Sequence, residues 1–492
     1  LTTTYDLFIG NQPIRADGQE RFATINPYTG QEWATVAQAS DDQVAHAIAT
    51  ARHAYETVWR RTNGKTRGQL LTRLAELLEA DAGRMSRLES TDNGKVIRET
   101  HGQMVFAARA YRFFAGAADK IFGSSIPLDQ PDVLDFTRRE PLGVAVLITA
   151  WNSPITLLAN KLAPALAAGN CVVIKPSEHA SATTLEFAEL TRQAGFPPGV
   201  INVVTGDHRT GKALLRSGRI DKVSFTGSPA VGRQIAADAG MALVPVTLEL
   251  GGKSPNIIFD DADLDRAVIG ALAGIFGATG QTCVAGSRLL VQRRVHDEVV
   301  ARLVERAQRI RLGDPLDPAT EMGTAANEPQ FRRILAMIDG ARNEGATLAA
   351  GGGPATGDGL DGGFFIQPTI FADVDNAMTI AQEEVFGPVL SIIPFDDEAE
   401  ALAIANDTPF GLAAGIWTES LPRALRMAQA VHAGTVWVNT YRVVSAMAPF
   451  GGFKDSGFGR ERGMQALDEF LQVKNVMIDF SGEARDPFAI KA

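Results

Sequence analysis

From residue 142 onward, short apolar runs rich in β-branched residues alternate with amphipathic stretches of about a dozen residues. The runs GVAVLIT (143–149), NCVVIKP (170–176), VINVVTG (200–206), DKVSFTG (221–227) and LVPVTLEL (243–250) read as buried strands. Strands alternating with helices predict parallel βαβ units in an open sheet covered on both faces, an α/β fold. A second set follows: RLLVQ (288–292), GFFIQPTIF (363–371), VLSIIPF (389–395), AGIWT (414–418) and GTVWVN (434–439). The first 120 residues read as a short strand pair and then helices. Ser40 and Gln43 form a capping box for a helix whose face carries Val44, Ile48, Ala51 and Tyr55. Leu70, Leu71, Leu74, Leu77 and Leu78 mark another helix. Three prolines in 121–141 break helical periodicity and suggest an extended hairpin reaching from the body. The glycine-rich stretch 351–363 predicts a mobile surface loop.

A chain of 492 residues predicts two or three domains, and 45% hydrophobic against 21% charged residues is a globular composition. The net charge of −10 argues against nucleic acid or an acidic membrane as the main partner. No run approaches the length of a membrane span, and the N-terminal LTTTYDLFIG shows no basic region followed by an apolar core. Two cysteines, Cys171 and Cys283, cannot form a disulfide framework, which leads us to expect a reducing cytoplasm. No metal site is expected.

In such sheets ligands bind beyond the carboxyl ends of the strands. The residues that matter are therefore those just after each run. Cys283 lies in GATGQTCVAGSR, where small neighbours let a ligand approach a nucleophilic sulfur. The bland alternative, a small buried hydrophobe, is the better reading for Cys171 inside an apolar run. Glu249, ending a run before two glycines, is placed for general-base work, or else caps a helix. Asn152 could donate to a developing oxyanion, or be an ordinary turn asparagine. FTGSPAVG (225–232) opens a helix after a strand and suits phosphate, although it is neither GxGxxG nor a Walker sequence. Lys175 and Glu178 offer a cation and an acceptor for ribose hydroxyls, or a solvated loop pair.

Together AWNSP (150–154), KPSE (175–178), FTGSPAVG (225–232), LELGGKSP (248–255), GQTCVAG (280–286), EEVFGPV (383–389) and PFGGFKDSGFGRE (449–461) resemble the aldehyde dehydrogenase superfamily in order and spacing, over essentially the whole chain. The resemblance implies NAD(P)⁺-dependent oxidation of an aldehyde through a cysteine thiohemiacetal and thioester. It implies Cys283 as nucleophile, Glu249 as base, Asn152 with the Cys283 N–H as oxyanion donors, and Lys161 and Glu461 as a proton-relay pair. Cofactor contacts are implied at Thr149, Trp151, Lys175, Ser177, Glu178, Phe225, Gly227, Ser228, Gly232, Leu250, Glu384 and Phe386. NAD is the expected cofactor, with NADP open. It also implies a Rossmann-like cofactor domain (1–118 and 142–251), a catalytic domain (252–455), and a small β oligomerisation arm (119–141 and 470–492) making a homodimer or homotetramer.

The substrate pocket implied is Ser153, Leu157, Asn160, Thr282, Val284, Arg442 and Val444. Ser153, Asn160 and Val444 stand where the family often has aromatic bulk, which predicts a wider, more polar pocket. Arg442 is expected near its entrance, unless it makes a surface salt bridge. A CoA-acylating semialdehyde dehydrogenase is the alternative enzyme, and Glu249 counts against it because such members generally lack the base. A binding protein that kept the fold without activity is the alternative from another class.

Overall fold

In the computed structural model, which describes residues 3–16, 18, 20–483 and 488, the chain forms two large sheets. The first has eight strands, with Val144–Ile148 hydrogen-bonded to Cys171–Lys175 on one side and to Lys222–Thr226 on the other. Ile201–Val203 continues the first side and Val246–Glu249 the second, all parallel. These short apolar runs are buried on both faces, as parallel strands under two helical layers must be. The strand order reverses between Val144–Ile148 and Lys222–Thr226, and a crevice opens beyond their carboxyl ends. The expected α/β fold with parallel sheets is present.

The helix Pro154–Ala168 crosses beneath this crevice. Pro154 stands in its first turn, and Gly169 ends it in the left-handed conformation at φ 101°. Every residue of this helix except Leu157 is buried. That burial holds Thr156, Asn160 and Lys161 rigidly toward the interior. The capping box at Ser40 and Gln43 forms as predicted on Asp41–Thr57, with Val44, Ile48 and Ala51 facing the core.

The second sheet has seven strands, parallel except for Thr347–Ala350 at one edge. Two strand readings need correction here. GFFIQPTIF contributes only Thr369–Ala372, since Pro368 has no N–H to donate to the ladder. Pro255–Ile258, too short and too close to Gly251–Gly252 to stand out, is a central strand between Arg288–Gln292 and Ala413–Trp417. At the chain start there are five strands rather than a pair. Three form a small separate sheet, and Leu7–Ile9 with Gln12–Ile14 extend the first large sheet.

The 121–141 run supplies Ser125–Ile126 and Val133–Pro141, and Leu471–Asp479 pairs antiparallel along the whole of the latter. This three-stranded sheet exposes Leu134, Val473, Met477 and Ile478. The last stretch expected to join it, 484–487 and 489–492, lies outside the described residues.

The chain passes from one sheet to the other through Leu250–Ser254. Gly252 packs so tightly there that a Cβ would lie 2.3 Å from the carbonyl oxygen of Cys283. The Gly252→Ala variant should therefore lose about 1–3 kcal/mol of stability by overpacking, measured by urea denaturation. Labelling of Cys283 by iodoacetamide should also slow or quicken more than a conservative surface change would cause, because the displaced group is the backbone of Cys283.

Candidate active site

Cys283 precedes the strand Arg288–Gln292 of the second sheet, while Asn152 and Glu249 follow strands of the first. The loop before the cysteine turns through three consecutive left-handed residues, Ala278, Thr279 and Gly280, at φ 53°, 56° and 68°. Two of them are not glycine, and such backbone persists only where its surroundings over-determine it. Those surroundings are visible. Glu99 accepts from the Ala278 N–H at 2.9 Å, and Gln281 is held by the Thr324 carbonyl at 3.0 Å and the Ala326 N–H at 2.9 Å. On the far side Tyr441 donates its hydroxyl to the Val284 carbonyl at 3.0 Å.

Asn152 is buried, and its Nδ2 donates to the Gln281 carbonyl at 2.9 Å. One amide hydrogen thus fixes the side chain to the nucleophile loop and the second is left to donate elsewhere. Among the described residues the Cys283 N–H has no protein acceptor. Lys95, which the sequence did not single out, stands behind this pair. It donates to the Asn152 carbonyl and to Ser153 Oγ, the latter at 2.7 Å.

Burial governs the electrostatics. Both carboxylate oxygens of Glu249 are buried without a protein partner. Desolvation, and then the nearby Glu461, hold its pKa well above the ordinary carboxylate range. Glu461 is ion-paired with the fully buried Lys161, which also donates to Ser224 Oγ at 3.2 Å. Burial followed by the charges of Glu384 and Glu249 pushes the Cys283 thiol up to about 12. Cys171 sits inside its strand with no exposure, and burial raises its thiol too.

A cavity of about 460 Å³ opens onto Cys283 and Glu249. Ser153, Leu157, Asn160, Thr282, Val284, Arg442 and Val444, all expected around the substrate, line it. Arg442 makes no surface salt bridge among the described residues; it bends back at φ 61° and donates to the Ala273 carbonyl at 2.9 Å. Several wall residues went unnoticed in the sequence: Gln103, Phe106 and above all Arg462. Phe106 comes from a helix remote in the chain and carries no local signal. Arg462 had one, a second charge directly beside Glu461.

Of the expected cofactor residues, Thr149, Trp151, Lys175, Ser177, Glu178, Gly227, Ser228 and Leu250 stand at or just after the carboxyl ends of parallel strands of the first sheet. A Cβ on Gly232 would lie 2.6 Å from Leu250, and one on Gly227 would lie 2.4 Å from the Phe225 ring. Both glycines therefore keep the backbone close to its neighbours at the start of the helix Pro229–Met241, which Ser228 caps. Lys175 is buried with Glu178 only 4.0 Å away, and Ser177 Oγ lies 3.4 Å from Glu178. Lys175 is withdrawn from solvent, while the Glu178 side chain stays 36% exposed. Trp151 and Phe386 meet edge to face at 5.2 Å, and Glu384 accepts from the Gly252 N–H at 3.0 Å. The buried hydroxyls of Thr149 and Thr226 have no protein partner. Unpaired hydroxyls, a buried cation and a close-packed glycine turn suit a polar, anionic dinucleotide.

Residues 14–476 match the model of the aldehyde dehydrogenase family. The chain belongs to the aldehyde dehydrogenase family. An aldehyde dehydrogenase of Emericella nidulans is 46% identical over 472 residues, covering 96% of this chain and 94% of its own. A (Z)-2-((N-methylformamido)methylene)-5-hydroxybutyrolactone dehydrogenase of Acinetobacter baylyi is 45% identical over 480 residues, 96% and 97% of the two chains. The crystal structure of betaine aldehyde dehydrogenase from Staphylococcus aureus in complex with NAD⁺ superposes with a TM-score of 0.97. It is 37% identical and covers 98% of this chain and 97% of that one. The present aldehyde dehydrogenase is accordingly an oxidoreductase acting on aldehydes.

The thiol of this aldehyde dehydrogenase should behave as its surroundings dictate. With its pKa pushed to about 12, the reactive thiolate grows roughly tenfold per pH unit through the neutral range. Inactivation of the free enzyme by iodoacetamide should therefore climb from pH 7 to pH 9 without a plateau. Mass spectrometry should find the label on Cys283 and not on Cys171.

Proposed function

We propose that this chain oxidises a polar or bulky aldehyde to the carboxylic acid with NAD⁺, through a thioester on Cys283 that water hydrolyses. The observation that carries this reading is the pairing of an accessible thiol with a buried, unpartnered Glu249 in one cavity. A CoA-acylating enzyme has no use for such a base, so the geometry favours water as the acyl acceptor.

The nicotinamide, bound by the residues around Trp151, Glu384 and Phe386, supplies a two-electron hydride acceptor. Cys283 first gives its proton to water, because only the thiolate attacks, and Sγ then bonds to the aldehyde carbon as the C=O π pair moves onto oxygen. The carbonyl oxygen takes up the electron pair between the free N–H of Asn152 and the N–H of Cys283, donors already in place and needing no reorganisation. Lys95 and Gln281 keep Asn152 aimed. After the carbon gives up hydride, the acyl group stays on Cys283 as a thioester. Glu249, its basicity raised by desolvation, takes a proton from water as the water oxygen bonds to the acyl carbon and Sγ departs. Glu461 and Lys161 lie next to that carboxylate and can pass the proton outward.

Support for a polar aldehyde comes from Ser153, Asn160 and Arg442 in the cavity wall and from the relative named for a hydroxybutyrolactone. A hydrophobic aldehyde would desolvate the donors and acceptors these groups have left over without pairing them, at about 1–3 kcal/mol for each. The three-stranded sheet of Val133–Pro141 and Leu471–Asp479, with its exposed apolar side chains, is proposed as an oligomerisation arm in a homodimer or homotetramer.

Two measurements test the assignment. Glu249→Gln should show a normal pre-steady-state burst of NADH followed by a steady rate at least about tenfold slower, the size of effect a lost general base has. Equal damage to both phases would place Glu249 in an earlier step. Because Glu178 accepts from the adenosine ribose, a 2′-phosphate would meet a like charge. The kcat/KM should accordingly be higher with NAD⁺ than with NADP⁺, and the reverse order would remove Glu178 from that role.

A further inference from the structure

Two arginines are deeply buried among the described residues, and they are used differently. Arg288 spends its donors on the fold: Nε on the Lys253 carbonyl, Nη1 on the Ile404 carbonyl and Asn376 Oδ1, Nη2 on the Ala405 carbonyl. Arg462, only 9% exposed, makes a single protein hydrogen bond, from Nε to Asn160 Oδ1 at 3.2 Å. Its two Nη groups have no acceptor, and no acidic side chain among the described residues forms an ion pair with it. The adjacent Glu461 is committed to Lys161.

Two aromatic rings also confine the guanidinium. Phe106 and Phe450 lie 5.0 and 4.7 Å from it, one ring centroid each, in cation–π contact. These contacts and the Nε bond fix the position of the group and leave its Nη groups as the free donors. Arg462 and both phenylalanines line the cavity that opens onto Cys283. The backbone is held at φ 59° there, a conformation arginine does not adopt without support. A buried cation with an oriented, unfilled fork matches the two oxygens of a carboxylate.

We propose that Arg462 is an anion-binding residue of the aldehyde cavity, and that the aldehyde oxidised there carries a carboxylate at the end remote from its carbonyl. Arg442 adds a second positive charge to the same cavity. Asn160 is then a positioning residue: it fixes Nε so that the Nη edge faces the ligand. The proposal rests on the reading of this cavity as the aldehyde site and narrows the polar aldehyde to an ω-carboxylate.

The test uses the full chain with NAD⁺ and the straight-chain probes 4-oxobutanoate, 5-oxopentanoate and 6-oxohexanoate, each beside its methyl ester. At one chain length or more the acid should exceed the ester in kcat/KM by at least about tenfold. Arg462→Met should reduce that acid-to-ester ratio on the order of 10- to 100-fold, chiefly through KM, the range for one lost charge-assisted pair. Arg462→Lys, which keeps the charge but not the fork, should fall between, and it serves if the methionine variant does not fold. Independently of turnover, glutarate should raise the melting temperature of the wild type and not of the variant. A wild-type ratio near one at every length overturns the proposal. So does an equal loss for acid and ester in Arg462→Met, which would mean that Arg462 serves the thiol or the fold. If no aldehyde, charged or neutral, reduced NAD⁺, the reading of the cavity itself would fail, and a wild type indifferent to glutarate would then dispose of Arg462 separately.

Discussion

Lys161 and Glu461 are ion-paired where almost no solvent reaches, and much of the site is arranged around that contact. Removing either partner would strand a charge in the interior, at about 3–5 kcal/mol. The pair ties the central helix of the first sheet to the segment that returns after the second sheet is complete. That segment carries Phe450, Glu461 and Arg462 into the cavity wall and then adds Gly457–Phe458 to the edge strand ending at Glu249. One electrostatic contact thus closes the chamber and sets the field in which Glu249 sits.

That field has a consequence for chemistry. Glu249 is surrounded by a desolvating wall, a like charge on Glu461 and the opposing charge of Lys161, and the balance leaves it far more basic than an exposed glutamate. Cys283 feels the same burial and the same carboxylates, so its thiol resists ionisation in the free protein. Burial thus disfavours the charged form of both reacting groups in the free protein. Bringing in a cofactor and a polar substrate changes the surroundings of both.

The stability of the arrangement is lodged in close backbone contacts rather than in the polar pairs. Gly252 lies against the Cys283 carbonyl, Gly280 against Gly387, and Gly232 against Leu250. The first of these holds the crossover between the sheets against the nucleophile loop, and the other two pack segments within one sheet's layer. The left-handed turn at 278–280 is affordable because Glu99, Gln281 and Tyr441 grip the loop on several sides.

Much of this was legible in the sequence. The alternating apolar runs determined parallel strands, because a strand buried on both faces must be apolar throughout, and the ends of those runs pointed to Asn152, Lys175, Thr226 and Glu249. The motifs around Cys283 and Glu384 determined the family and with it the class of reaction. What local pattern could not determine was company. Pro255–Ile258 was hidden by its shortness, and the extra strands at the chain start by weak alternation. Lys95, between two helices, and Phe106, on the second of them, carried no local signal until packing placed them behind Asn152 and beside Arg462. Arg462 itself reads as one more charge in a charged loop. Only the tertiary structure decided that aromatic rings confine it, that its neighbour Glu461 is taken by Lys161, and that its Nη donors are left open, because Phe106, Asn160 and Lys161 lie hundreds of positions away in the chain.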